Sequence, residues 1–121
     1  MAVRMYHLAV DCHDLPAQAR FWAQVLDWRI LFEAENEIVI GADEHALPGM
    51  CFLPVPERKS GKNRLHIDLT PDDQDAEVAR IVGLGARRVD VGQDEDATWV
   101  VLADPEGNEF CVLRPKATLI D

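Results

Sequence analysis

The chain has 121 residues, 48% of them hydrophobic, which is one domain's length with enough apolar material to fill a core. Asp plus Glu outnumber Lys plus Arg by 22 to 12, giving a formal charge of −10, so a phosphate backbone or anionic lipid surface is repelled over most of the molecule and neither nucleic acid nor membrane is expected as a partner. The longest apolar run is only Trp99 to Ala103, Arg4, His7 and Asp11 interrupt any secretory h-region, and Cys12, Cys51 and Cys111 are odd in number with no C-x-x-C, so a cytoplasmic protein with reduced thiols is expected.

Val3 to Asp11 reads as a first strand, with Tyr6, Leu8 and Val10 on one side and His7, Ala9 and Asp11 on the other. Asp14 is a fitting N-cap for an amphipathic helix, because Leu15, Ala19, Trp22 and Leu26 recur at helical spacing. Phe21 and Trp22 belong to its buried stripe. Trp28 to Phe32 and Glu37 to Ile40 read as a hairpin across the polar Glu33-Ala34-Glu35-Asn36, and a looser segment leads to a strand from Met50 to Val55. Pro56 to Asn63 has no periodicity and reads as a linker, locally basic through Arg58, Lys59 and Lys62.

Arg64 to Thr70 is the strand on which the reading turns. Leu65, Ile67 and Leu69 form an apolar row, and Arg64, His66, Asp68 and Thr70 a polar one. Thr70-Pro71-Asp72-Asp73 reads as a helix start with a hydroxyl cap, Val78, Ile81 and Val82 as the buried stripe, and Gly85 as a left-handed C-cap residue. Arg88 to Val91, Thr98 to Ala103 and Asn108 to Leu113 follow as strands. The last two are joined by Asp104-Pro105-Glu106-Gly107, which has type I turn preferences. Trp28 and Trp99 lie on strands and are candidates for the inward face.

The second half therefore repeats the first. Sliding one on the other by 58 to 59 positions lays His7 on His66 and Leu26 on Leu84, an internal duplication of a βαβββ unit. The same shift sets Phe52 opposite Cys111. The expected architecture is α+β: a single domain over 1–121, module one about 1–55, linker 56–63 and module two about 64–115, with helices outside a curled eight-stranded mixed sheet.

The paired βαβββ plan, the opening His7 with Asp14-Leu15 and Phe21-Trp22 downstream, and the tail Ala103-Asp104-Pro105-Glu106-Gly107-Asn108-Glu109-Phe110 resemble the vicinal oxygen chelate superfamily. That superfamily holds glyoxalase I, extradiol dioxygenases, fosfomycin-inactivating enzymes and bleomycin-resistance proteins. Val55-Pro56-Glu57, Gly61 to Leu69 and Trp99 to Pro105 are similar to its actinobacterial-type glyoxalase-like subfamily. The resemblance spans essentially the whole chain, and it implies that the concave face of the sheet is a small-molecule site.

It also implies a place for metal: in metal-dependent members, ligands come from the first and last strands of each unit. His7 and His66 match the first-strand positions, whereas Phe52 and Cys111 stand where carboxylates are usual in glyoxalase I. With those carboxylates gone, no metal or other cofactor is expected, and His7 and His66 are the candidates if one is present. The residues expected to bind ligand are His7, Phe52, His66, Asp68, Trp99, Glu109 and Cys111. If there is catalysis, His66 and Glu109 are its candidate acid and base. The expected function is binding of a small, aromatic or natural-product-like molecule by a homodimer. The alternative is an enzyme, of glyoxalase type or a metal-free acid/base catalyst, acting on a small thiol adduct.

Overall fold

A computed structural model describes residues 2–90, 92 and 94–121. The chain divides into two compact units, Met1–Lys59 and Ser60–Asp121. The first contains β1 (His7–Cys12), α1 (Leu15–Leu26), β2 (Arg29–Ala34), β3 (Glu37–Gly41) and β4 (Gly49–Pro54). The second contains β5 (Asp68–Leu69), α2 (Gln74–Gly83), β6 (Arg87–Arg88), β7 (Val100–Ala103) and β8 (Glu109–Val112). Each unit is thus βαβββ, and its four strands form a mixed sheet, in the order β1-β4-β3-β2 or β5-β8-β7-β6. The outer pair β1/β4 or β5/β8 is parallel, and the remaining pairs are antiparallel. No helix among the described residues is long and apolar enough to cross a membrane.

In the first unit, the Asp14 side chain accepts from Ala17 N at 3.2 Å, and α1 buries Leu15, Ala19, Phe21 and Trp22. Beneath the helix, β3 and β4 contribute Ile38, Ile40, Met50 and Phe52, each no more than 3% exposed. Burying a side chain of this size contributes roughly 1.5–3 kcal/mol relative to leaving it in water. The hairpin turns on Glu35-Asn36 alone, because Glu33 and Ala34 continue β2. Gly49 must be glycine: a Cβ there would lie 2.8 Å from the Ile40 carbonyl oxygen.

The first strand begins at His7 and not at Val3, since Gly49 N donates to Tyr6 O and nothing on β4 lies before Gly49 to pair with residues 3–5. Tyr6 is 67% exposed, outside the core row in which sequence alternation placed it.

The second unit departs further. The strand expected over Arg64 to Thr70 contracts to Asp68–Leu69, and Leu65 is 77% exposed. The cause is Asn63: its amide donates to Leu65 O and Glu109 O, while its Oδ1 accepts from Glu109 N. A side chain therefore satisfies the start of β8 where a neighbouring strand's backbone would otherwise do so.

Helix α2 is capped by Asp73, which accepts from Ala76 N at 3.1 Å. The expected cap, Thr70, is committed elsewhere. Its hydroxyl donates to Arg114 O and accepts from Lys116 N, pinning the C-terminal segment to β5. Val78 and Ile81 are buried, whereas Val82 is 39% exposed. Gly85 has φ 125° after the helix, the positive value expected of it. The strand expected over Arg88 to Val91 is Arg87–Arg88, with Val91 outside the described residues. In the turn before β8, Gly107 N donates to Asp104 O at 2.9 Å, and the buried Asp104 carboxylate accepts from Glu106 N and Asn108 N.

Candidate functional site

The register of β8 decides which side chains share the second unit's open face. Cys111 lies opposite Asp68 on β5 and Val101 on β7, while Phe110 and Val112 point to the buried side at 1% and 0% exposure. His66 lies just before β5, and its Nε2 comes within 3.2 Å of Asp68 Oδ1 on the same face. His66, Asp68, Trp99, Glu109 and Cys111 thereby come together, joined by Lys62, Val101 and Leu113, around a cavity of about 400 Å³. All five sequence-derived candidates of this half line one site.

The cavity has an apolar wall and a polar one. Trp99, 41% exposed, stands with Val101 and Leu113. Opposite in character, His66 Nε2 lies 3.2 Å from Asp68 Oδ1, and the Cys111 thiol hydrogen-bonds the same carboxylate. Lys62 Nζ is 2.8 Å from Glu109 Oε1, and Asn63 fixes the backbone of Glu109 beneath that pair. Burial pushes the Cys111 thiol up, the Asp68 charge and hydrogen bond and the Glu109 charge add to this, and Lys62 partly offsets it. At neutral pH it is a protonated thiol and not a ready nucleophile.

His66, Asp68 and Cys111 also make the group of metal-type donors found among the described residues. One ligand atom from each lies within 4.8 Å of the other two. This donor set is one imidazole, one carboxylate and one thiol, with the carboxylate supplied by β5 and not by the last strand. It fits a borderline-soft ion such as zinc and does not fit the oxygen-only preference of Mg²⁺ or Ca²⁺.

The first unit has its own cavity, of about 460 Å³, to which His7, Tyr6, Glu37, Val39, Leu31 and Phe32 contribute. The rings of Tyr6 and His7 lie 4.1 Å apart at 36°. Phe52 is not there. It is 0% exposed, opposite Val10 and Ile38 on the face that α1 covers, so its placement as a ligand contact is corrected to a core residue.

The residue that stands where Cys111 stands is Cys51, opposite Ala9 and Val39. Ala9 follows His7 by two residues as Asp68 follows His66, so the last strands match at a shift of 60 and not 59. One residue of slip turns every side chain of a strand to the other face. Cys51 donates to Glu37 Oε2 at 3.1 Å, and burial, then that hydrogen bond and the Glu37 charge, push it up to about 11. His7 belongs to no three-donor group among the described residues. Cys51 escaped the sequence reading because of the slip, and Lys62 because an aperiodic basic segment reads as solvated loop.

Residues 7–113 match the model of the family described as glyoxalase-like domain. Among solved structures, the chain is similar to a glyoxalase/bleomycin resistance protein/dioxygenase family enzyme from Burkholderia phytofirmans PsJN, with 17% identity, 94% of this chain and 100% of that one covered, and a TM-score of 0.74. It is similar to the fosfomycin resistance protein FosX from Mesorhizobium loti at 17% identity, covering 99% and 96%, with a TM-score of 0.71. It is also similar to TnmS3, an antibiotic binding protein from Streptomyces sp. CB03234, at 18% identity, covering 96% and 99%, with a TM-score of 0.63. No curated protein matches. With the duplicated βαβββ units and a family model spanning nearly all of both, the chain belongs to the glyoxalase-like domain family of the vicinal oxygen chelate superfamily.

Proposed function

We propose that this protein binds a small, flat, partly polar molecule, aromatic or natural-product-like, in the cavity of its second unit and holds it without converting it. The observation that carries the reading is the make-up of that cavity: an apolar wall of Trp99, Val101 and Leu113 faces a few orienting groups, His66, Asp68, Glu109 and Lys62. Small-molecule sites are built this way, with volumes of roughly 300–1,000 Å³. Support by analogy of fold comes from TnmS3, an antibiotic binding protein. Against turnover stand two thiols held protonated by burial and neighbouring carboxylates.

A second reading, acid/base catalysis on a small thiol adduct, is favoured by one contact: Asp68 at 3.2 Å from His66 Nε2 is placed to orient the imidazole. Proton transfer by one such group contributes ~10²- to 10⁴-fold on its own. We further propose a cytoplasmic homodimer. The edge strand β2 exposes Ile30, Leu31 and Phe32 in succession, and pairing with a second copy would cover it.

Tryptophan fluorescence tests the binding reading, since Trp99 is in the cavity lining. Titration with a panel of aromatic natural products and with glutathione and mycothiol hemithioacetals should give saturable quenching by a panel member, lost in Trp99→Leu, with no product formed. Steady turnover of a hemithioacetal that disappears in His66→Ala or Glu109→Gln would replace this reading with the second. Absence of any saturable binding would refute it.

A further inference from the structure

We infer that the cavity of the first unit is a separate site for a small organic cation, an ammonium group carried on an apolar or aromatic body. The inference goes beyond binding in the second unit and stands independently of it. The walls of this cavity come from β2, β3, the Tyr6-His7 pair and the loop that joins β3 to β4.

Its shape follows from two local features of the sheet. The pairing of β2 with β3 shifts register between Ile30 and Phe32, so the consecutive residues Leu31 and Phe32 both reach the lining, where strict alternation would send them to opposite faces. Gly41 leaves the room that Leu31 occupies: a Cβ there would lie 3.0 Å from Leu31 Cδ1. Phe32 stands opposite Val39 on β3, and Glu37 lies two residues before Val39 on the same face. Pairing of the β2 edge with a second copy would engage the strand's backbone in the plane of the sheet and leave this side-chain face in place.

The apolar part of the wall is open to water. Tyr6 is 67% exposed, Phe32 52% and Leu47 44%. Apolar side chains gathered around a concavity of about 460 Å³ form a surface of ligand size.

The sign of the charge selects the ligand. Glu37, Asp43 and Glu44 all line the cavity, and none of the lining residues is Lys or Arg. Glu37 is anchored through Oε2 by the Cys51 thiol at 3.1 Å, and Asp43 through Oδ1 by His45 N at 2.7 Å. A carboxylate has two oxygens, so each of these can accept from a ligand ammonium as well. The ring faces of Tyr6 and Phe32 attract the same charge through their quadrupoles. An anionic ligand meets three like charges and no permanently charged counter-cation. The second unit's cavity, with Lys62 in its lining, lacks this one-sided charge.

The probe is benzyltrimethylammonium, titrated into the full chain with ring-labelled tyrosine and followed by NMR. Tyr6 is the chain's one tyrosine, so its ring signal reports on this cavity. The cation should shift that signal saturably and more weakly as NaCl is raised, and neutral benzyl alcohol should bind about 10-fold or more weakly than the cation. Phenylacetate should give no saturable shift. Glu37→Gln, which keeps an acceptor for Cys51, and Asp43→Asn should each reduce affinity by about 3-fold or more. Trp99→Leu should leave it unchanged, which separates this site from that of the second unit. The first two arms are read on the unmutated chain and do not depend on any variant folding. Benzyl alcohol or phenylacetate binding as tightly as the cation, no saturable shift of the Tyr6 ring, indifference to both acid substitutions, or loss of binding in Trp99→Leu would overturn the inference.

Discussion

Truncating Phe52 separates the two faces of β4 by a measurable energy. The ring is 0% exposed and sits opposite Val10 and Ile38, with the equally buried Ile40 and Met50 beside it. Phe52→Ala removes the ring from a layer that α1 closes on the other side, and changes of this kind cost ~3–5 kcal/mol through lost transfer energy plus the cavity left behind. For a chain of this length that corresponds to a fall in Tm of roughly 10–20 °C. Cys51 is the adjacent residue on the other face. Cys51→Ala removes one hydrogen bond to Glu37, a carboxylate only half-buried that water can resolvate, so its cost should stay below about 1.5 kcal/mol. Urea unfolding followed by far-UV circular dichroism would compare the two variants, with Phe52→Leu as a milder third that retains much of the volume. Phe52→Ala costing less than about 1 kcal/mol, or Cys51→Ala costing more than Phe52→Ala, would refute the assignment of faces and the 60-residue shift that follows from it.

Gly49→Ala should destabilise by roughly 1–3 kcal/mol, because the new Cβ meets the Ile40 carbonyl oxygen at 2.8 Å and backbone cannot step aside as a flexible side chain can; thermal unfolding measures it. Cys51 predicts the alkaline behaviour. Burial, then the Glu37 hydrogen bond and charge, raise its folded value from 9.0 to about 11, so between these pH values the folded chain binds more protons than the unfolded one. Its contribution to stability is complete below pH 9 and is lost as pH rises through about 11. Cys51→Ala should flatten that part of the stability curve, and an unchanged decline would assign it to other groups.

Local signals carried far along this chain. Asp14 caps its helix as its side chain and position dictate, the β2/β3 hairpin falls on the two β-rich runs although Glu33 and Ala34 lengthen β2, and Asp104 to Gly107 turns as its residue types prefer. Failures came where a side chain was already engaged by something distant in sequence. Thr70 looks like a helix cap until its hydroxyl is seen joined to Arg114 O and Lys116 N, 44 and 46 residues away. Leu65 looks like a core residue until Asn63 is seen holding Glu109, 46 residues on. The Phe52 error is of another kind. Both last strands are apolar enough that composition does not distinguish shift 59 from shift 60, and the pairing partners Ala9 and Asp68 settle it.

Once the register is right, the two units diverge in a consistent way. Cys51 and Cys111 match, as do Phe52 and Val112 on the buried side, so Gly49 matches Glu109 one strand repeat earlier. At both variable positions around the histidine the second unit has an acid where the first has a small residue: Asp68 for Ala9, and Glu109 for Gly49. The first unit's carboxylate comes instead from Glu37 on β3, which reaches the thiol of Cys51 from the side away from β1. There it raises the thiol, and His7 lies against the tilted ring of Tyr6. In the second unit the carboxylate comes two residues after the histidine, at the start of β5, and Asp68 engages both imidazole and thiol. Duplication supplied two copies of a histidine opposite a cysteine strand. Among the described residues the three-donor group occurs in the second unit, where the acid two residues after the histidine lies within reach of both histidine and cysteine.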